Sequence, residues 1–409
     1  MRLALTLVAV IFAAQLAAAD VAAQPKQQWA TDAASIEKLP TDCADLSLSK
    51  TDDDALAALK RVTGLKRLLV VGPGSRVTDK GVAALAAMKI EDLNLMHCEE
   101  ITDKAFANYG KMSSLKSLSV EGCIGLTDKF TDGLKDLKLT TLSVAFCENI
   151  TGSGMAAVAA NLQILRVDGA TSFGDAGMQI IAAAKNLSEL RLGGSAVTNA
   201  GLKELANFKQ LKSLSVGGQA FNDSACGLIS ALTTLETLDV GFSPISDRGA
   251  KQFAKLVNLK RLVVGFSDIG DESIKAFAKL PKLETLFASQ TLVTSAGVNA
   301  FSGHKALREL HLGGLDLDDS ACKALGTIKT LVTLNLHGAG VTAEGLALFK
   351  DLAALEMLDL SDCGGVDDDA VDALVALKTL KTLHVQQTGL SKNGQQALIK
   401  GLPKCKVWC

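Results

Sequence analysis

The chain has 409 residues, 48% of them apolar, with 42 Lys and Arg against 44 Asp and Glu, a net charge of −2 with His neutral. That length would suit two or three ordinary domains, yet no composition shift, Pro- or Ser-rich linker or long charge block divides it, which favours one elongated array. Interspersed charge summing to nearly zero excludes the basic footprint of a phosphate-backbone binder, so nucleic acid is not an expected partner.

Met1 and Arg2 precede an apolar run over residues 3–19, interrupted only by Thr6 and Gln15 and followed by small residues. This is the pattern of a cleaved secretory signal, assigned to residues 1–19, with cleavage after Ala19 or after Ala23. The run falls short of the roughly 20 residues that span a bilayer, and no second run follows. The mature chain is therefore expected off the membrane, in a secreted or periplasmic location. Residues 20–64 read as an N-terminal cap with one degenerate repeat. Within them, 31–39 suits a short helix started by Thr31 or Asp32 and stopped by Pro40, with Trp29 as a plug for the apolar end. Leu46 and Leu48 then suit a strand, and Asp52 the start of a helix.

From Leu65 a register repeats every 23 to 25 residues: Leu65, Ile90, Leu115, Leu139, Leu162, Leu187, Leu211, Leu235, Leu259, Leu283, Leu307, Leu331, Leu355 and Leu380. Each opens an alternating L-x-x-L-x-L stretch, such as Leu331, Leu334 and Leu336, that suits a half-buried strand. A segment with apolar residues at helical spacing follows, such as 342–349. Neither half buries its apolar side alone, so the copies must stack, each covering the next, as in a solenoid. Ala288 replaces a large residue in the third position and is expected to loosen packing there.

Two further patterns accompany the strands. Cys98, Cys123, Cys147 and Cys363 stand eight residues after the first apolar position, and an I-T-D-x-G-like block follows, as in Val77-Thr78-Asp79-Lys80-Gly81 and Ile245-Ser246-Asp247-Arg248-Gly249. On these residues the chain resembles the leucine-rich repeat family, in its cysteine-containing subclass, also found in F-box proteins and in secreted bacterial repeat proteins. The expected fold is an α/β leucine-rich repeat solenoid, a right-handed horseshoe with a parallel sheet on the concave face and short helices on the convex face. The array covers 65–404 in about 14 units, and 405–409 close it, with Pro403 ending the last helix, a truncated strand from Cys405, and Trp408 covering the open end. Thr, Ser or Asp in the second block caps a helix, and the following acid suits the positive end of its dipole. The four turn cysteines are expected as buried thiols facing carbonyls of neighbouring repeats, Cys226 and Cys322 as core, and Cys43 as buried and unbridged. A bridge between Cys405 and Cys409 is left open.

No P-loop, G-x-S-x-G elbow, H-E-x-x-H or dinucleotide fingerprint occurs, so neither enzyme activity nor a cofactor is expected. The surface that carries information is the concave face. The middle residue of each L-x-L pair gives the row Leu69, Asn94, Ser119, Ser143, Arg166, Arg191, Ser215, Asp239, Val263, Phe287, His311, Asn335, Asp359 and His384. Its C-terminal part places an apolar patch of Val263 and Phe287 beside His311, Asn335, Asp359 and His384, with Glu309 and His337 one strand position to either side. These eight residues form the expected partner-binding site, with Phe287 as anchor and His–carboxylate neighbours making it pH-sensitive. A transition-metal site from His311, His337 and Asp359 is the sharper alternative and a solvated sheet face the plainer one; no metal site is assigned. Arg166 and Arg191, with Asp168 and Glu189, suit a cross-strand ion-pair network. The expected function is a non-enzymatic exported scaffold that binds a protein partner in its concavity. The alternatives are an extracellular polysaccharide binder, against which the shortage of concave Tyr and Trp counts, and an F-box-like substrate adaptor. No pattern sets an oligomeric state.

Overall fold

The computed structural model describes residues 28–409; the signal reading lies outside them. Short strands recur along the chain: β1 (Gln28–Ala30), β2 (Asp45–Ser49), β3 (Arg67–Val71), β4 (Asp92–Met96), β5 (Ser117–Ser119) and β6 (Thr141–Ser143). They continue as β7 (Ile164–Arg166), β8 (Glu189–Arg191), β9 (Ser213–Ser215), β10 (Thr237–Asp239), β11 (Arg261–Val263) and β12 (Thr285–Phe287). The last are β13 (Glu309–His311), β14 (Thr333–Asn335), β15 (Met357–Asp359), β16 (Thr382–His384) and β17 (Lys406–Trp408). All 17 belong to one sheet. Each pairs in parallel with the next in sequence, so that Leu262, Leu286, Leu310, Leu334 and Leu358 stand side by side. The parallel sheet with short helical turns behind it is the α/β solenoid that the repeat register predicts.

Every first position from Leu65 to Leu380 is buried, as are the second and third, including Ala288. From the convex side Phe253, Phe277, Phe301 and Phe349 reach into the same core and are fully buried, each 18 residues after the first Leu of its unit. A unit this short leaves about two turns for the convex side. Some of these segments are α-helical, such as Asp271–Phe277, and others 3-10, such as Asp103–Phe106 and Gly201–Asn207.

The second block does more than cap helices. Thr78, Thr102, Ser246, Thr294 and Thr342 do cap their own segments, but the acid of the preceding repeat holds each cap in turn. Asp271 accepts from the Thr294 amide and hydroxyl, both at 2.8 Å, and Asp319 accepts likewise from Thr342 at 2.8 and 2.6 Å. The same pair joins Asp53 to Thr78, Asp79 to Thr102, Asp103 to Thr127, Asp175 to Thr198, Asp223 to Ser246 and Asp368 to Ser391. The Ser391 hydroxyl and amide hold the Asp368 carboxyl below the ordinary carboxylate value. In the N-terminal repeats one unit both receives and gives, as Thr78-Asp79 and Thr102-Asp103 do. From Asp175 onward the carboxylate-to-hydroxyl pairing alternates, with acceptors at Asp175, Asp223, Asp271 and Asp319 and hydroxyl donors at Thr198, Ser246, Thr294 and Thr342, while Asp247 between them accepts from the Gly270 and Ser273 amides. The glycine of the block is needed because that carboxylate lies against it: a Cβ on Gly297 would stand 2.3 Å from Asp271 Oδ1, and one on Gly201 2.4 Å from Asp175 Oδ1.

The ends differ from expectation. The first helix is shorter, Ala33–Glu37, capped reciprocally by Asp32 and Ser35, and Ile36 is what it buries. Trp29 is no plug: it stands in β1 beside Ser47, 59% exposed, on the concave row. Trp408 likewise lies beside His384 in β17 and extends that row, 42% exposed, instead of covering the open end. Both rings follow the pleat, which turns Ala30 and Val407 inward and the tryptophans outward.

All four turn cysteines are buried, and three face a neighbouring repeat as read, while Cys98 faces Met96 O of its own. Cys123, Cys147 and Cys363 are fully buried, and their thiols donate to the carbonyls of Leu95, Val120 and Leu336 of the preceding repeats at 3.3, 3.1 and 3.1 Å. Cys226, Cys322 and Cys43 are buried, while Cys405 and Cys409 are free thiols.

Candidate functional site on the concave face

Strand register brings the expected site residues together. Val263, Phe287, His311, Asn335, Asp359, His384 and Trp408 are consecutive partners across β11 to β17. They are engaged with one another rather than free. The Phe287 and His311 rings stack at 3.9 Å and 7°, and the Arg261 guanidinium covers the other Phe287 face at 4.5 Å from the centroid. Phe287 is thus the middle of a guanidinium–phenyl–imidazole stack over three strands, not an open apolar anchor. Val263 is 92% covered and adds little surface. Asn335 Nδ2 donates to Asp359 Oδ2 at 2.9 Å, and Asp359 Oδ1 accepts from the Ser361 amide at 3.0 Å. His384 stacks on Trp408 at 5.9 Å and 8°, with Lys406 Nζ 3.8 Å from the same ring centroid.

Glu309 and His337 flank the row as placed. Glu309 Oε2 accepts from Thr285 at 3.4 Å, and His337 Nδ1 faces Asp362 Oδ2 at 3.3 Å. His337 therefore turns to the next repeat instead of toward His311 and Asp359. Among the described residues no group of three or more His, Cys, Asp or Glu is placed to hold a metal ion.

The pH-sensitive reading of His311 needs correction. Burial pushes its imidazole down to about 4, the Arg261 charge adds to the effect, and Asp359 only partly opposes it. His311 is neutral at physiological pH. A folded-state value below the ordinary one means that, as pH falls from about 6.5 toward 4, the unfolded chain takes up a proton that the folded chain refuses, so stability falls through that window. Wild type should lose urea resistance between pH 7 and pH 4 more steeply than His311→Gln, and the His311 ring resonance should titrate near 4. A midpoint near 6.5 would contradict the stack.

Nearer the middle of the sheet, Arg166 Nε pairs with Glu189 Oε1 at 2.7 Å and Arg191 Nε with Asp168 Oδ2 at 2.9 Å, a crossed pair between β7 and β8 as expected. Burial raises the Asp168 carboxyl, which Arg191 draws back, and burial likewise raises Glu121 and Asp239 on the same face. Partly exposed pairs of this kind contribute about 0–1 kcal/mol, so their role is in the sign pattern of the surface.

The model of the leucine-rich repeat family matches residues 135–159, 231–254 and 255–278. Solved structures of similar shape are the mouse RP105/MD-1 complex (TM-score 0.56, 17% identity, 90% of this chain and 66% of that one) and the TLR13–ssRNA13 complex (0.51, 18%, 87% and 57%). A leucine-rich repeat protein of Leptospira interrogans also matches (0.47, 17%, 90% and 92%). The chain has the leucine-rich repeat fold, and the family model matches three of its repeats. No curated protein matches it by sequence. No helix among its described residues is long and apolar enough to cross a membrane.

The leucine-rich repeat geometry shows a second surface that the row did not capture. Seven residues after the first Leu the backbone is left-handed in unit after unit. Glycine serves at Gly122, Gly169, Gly194, Gly314 and Gly338, but His97, Phe146, Phe242, Phe266, Gln290, Asp362 and Gln387 stand there too, with φ between 52° and 59°. A side chain in that region costs roughly 1–2 kcal/mol. Phe242 and Phe266 offset part of it by stacking at 4.4 Å and 8°, and Phe146 lies over Gly169, where a Cβ would stand 2.4 Å from its ring. The glycines at this position in other leucine-rich repeats of the chain were the available signal. Arg261 was missed because it stands two residues before the row.

Proposed function

We propose that the chain is an exported, non-enzymatic recognition scaffold of the cysteine-containing subclass, which holds a protein partner against the C-terminal half of its concave face. The repeat fold is one typically used for protein–protein interaction. The observation that carries the reading is the fixed arrangement over β11 to β17, where Arg261, Phe287 and His311 form one stack, Asn335 and Asp359 a hydrogen-bonded pair, and His384, Trp408 and Lys406 a second stack. Groups already held by their neighbours lose little rotamer freedom on binding, which favours affinity. Carboxylates interleaved with Arg166, Arg191 and Arg261 suit the mixed charge of a protein surface better than a phosphate chain. The reading as a binder rather than an enzyme rests on the site lying along a continuous sheet and not in a cleft.

A polysaccharide ligand is the second reading, favoured by the place of both tryptophans, Trp29 and Trp408, exposed at opposite ends of the concave row. Affinity capture from extracellular or periplasmic extract, with the mature chain beside a Phe287→Asp, His311→Ala variant of unchanged circular dichroism, tests the first. A retained protein should be lost by at least about tenfold in the variant, as for a buried hot spot. Equal capture by both would move the site off this face. Retention on a polysaccharide matrix that Trp408→Ala abolishes would replace the protein reading with the glycan one.

A further inference from the structure

We propose that Cys98 and Cys123 are a peroxide-reactive dithiol pair, in which a hydroperoxide oxidises Cys98 and Cys123 then closes a disulfide that staples two neighbouring repeats. The two cysteines occupy the same place in consecutive units, eight residues after Ile90 and Leu115. β4 and β5 run in register, and the ladder continues into the turn through His97 N to Glu121 O at 2.7 Å. Neighbouring parallel chains at about 4.8 Å lie inside the roughly 4.4–6.8 Å Cα separation that a disulfide spans. Each thiol donates to a backbone carbonyl, Cys123 to Leu95 at 3.3 Å and Cys98 to Met96 at 3.9 Å.

Access distinguishes their roles. Cys98 is 3% exposed and lines a cavity of about 160 Å³ with Gly72, Ser75, His97, Glu99 and Glu100, whereas Cys123 behind it is fully covered. The neighbouring Cys123 side chain holds the Cys98 thiol below the ordinary value, while Cys98 and burial together raise Cys123. The reachable sulfur is thus the more acidic one, and the thiolate is the nucleophile. In the first step the Cys98 sulfur attacks the peroxide: an S–O bond forms, the O–O bond breaks, and the departing oxygen leaves as water or alcohol with Cys98 oxidised to the sulfenic acid. In the second, the Cys123 sulfur attacks Cys98, the S–S bond forms, the S–O bond breaks, and hydroxide leaves with the Cys123 proton as water. Two thiols and one peroxide give one disulfide, with the peroxide as the two-electron oxidant.

Cys363 is the internal control. It occupies the same turn position and is fully buried, but the flanking units carry Ala339 and Thr388 there, so no thiol stands beside it in the ladder.

The test treats the full chain, with the surface Cys405 and Cys409 replaced by Ser, with hydrogen peroxide, then unfolds, alkylates and maps it. The expected product is a peptide linking Cys98 to Cys123 with two hydrogens lost and Cys363 fully alkylated. In Cys123→Ser the link should vanish and Cys98 should instead be trapped as a dimedone adduct. Cys98 left fully alkylatable in the treated chain, a Cys123 to Cys147 link in its place, or Cys363 oxidised as fast as Cys98 would each overturn the proposal. Should Cys123→Ser fail to fold, as circular dichroism would show, the map of the unsubstituted pair decides alone.

Discussion

Replacing Gly297 with Ala is expected to cost about 3 kcal/mol, far more than a glycine-to-alanine change in a helix ordinarily does, since Ala is the better helix former by about 1 kcal/mol. The added Cβ would meet Asp271 Oδ1 at 2.3 Å and its Cγ at 2.9 Å. The carboxylate must then leave the Thr294 amide and hydroxyl, so overpacking of about 1–3 kcal/mol adds to the loss of two charge-assisted hydrogen bonds. Asp271→Ala alone removes the bonds but also the obstruction, leaving the Asp271 Cα at 3.0 Å as the nearest contact. The double variant should therefore be more stable than the sum of the singles by at least about 1 kcal/mol, as expected for residues in direct contact. Urea denaturation of the four chains measures this, and strict additivity would mean that the glycine serves something other than the carboxylate.

Phe277→Ala should cost about 3–5 kcal/mol, the range for a fully buried aromatic replaced by a methyl group. The side chain is wholly covered, between the equivalent Phe253 and Phe301 of the adjoining units. In an array whose units touch only their neighbours the deficit falls on one interface and is not shared along the chain. Denaturation of this variant should divide into two transitions, with amide exchange accelerated first around residues 259–301. A single transition shifted uniformly would show coupling longer in range than the contacts suggest.

The fold was legible because its signal repeats: a Leu every two dozen residues is buried every time, and three of four turn cysteines meet the neighbouring carbonyls that their spacing implies. What escaped was whatever depends on two units at once. The acid after each cap reads, within one helix, as a partner for the dipole; its bond to a residue 23 positions on exists only after stacking. The concave row was placed correctly by alternation, but alternation says which way Phe287 points and not that Arg261 leans across from the adjoining strand to cover it. His311 was read as a titrating group because a carboxylate, Asp359, shares its row, whereas its closest companions are a phenyl ring and a guanidinium. Trp29 and Trp408 were misread because position at the chain ends suggested plugs, while the strands they occupy turn them outward.

The alternation of acceptors and donors bears on how such a chain changes length through inheritance. From Asp175 onward the carboxylate-to-hydroxyl pairing returns every 48 residues, not every 24: Asp175, Asp223, Asp271 and Asp319 are each followed one unit later by the hydroxyl they hold. Excising residues 331–354 would set Asp319 beside the capping Asp367, carboxylate against carboxylate. Excising or duplicating two units keeps the carboxylate-to-hydroxyl pairing in phase. Among the earlier units, where Thr78-Asp79, Thr102-Asp103 and Thr127-Asp128 each carry both halves, one unit can be copied or dropped alone. The two halves of the array are thus open to different kinds of genetic slippage, single steps toward the N-terminus and double steps toward the C-terminus.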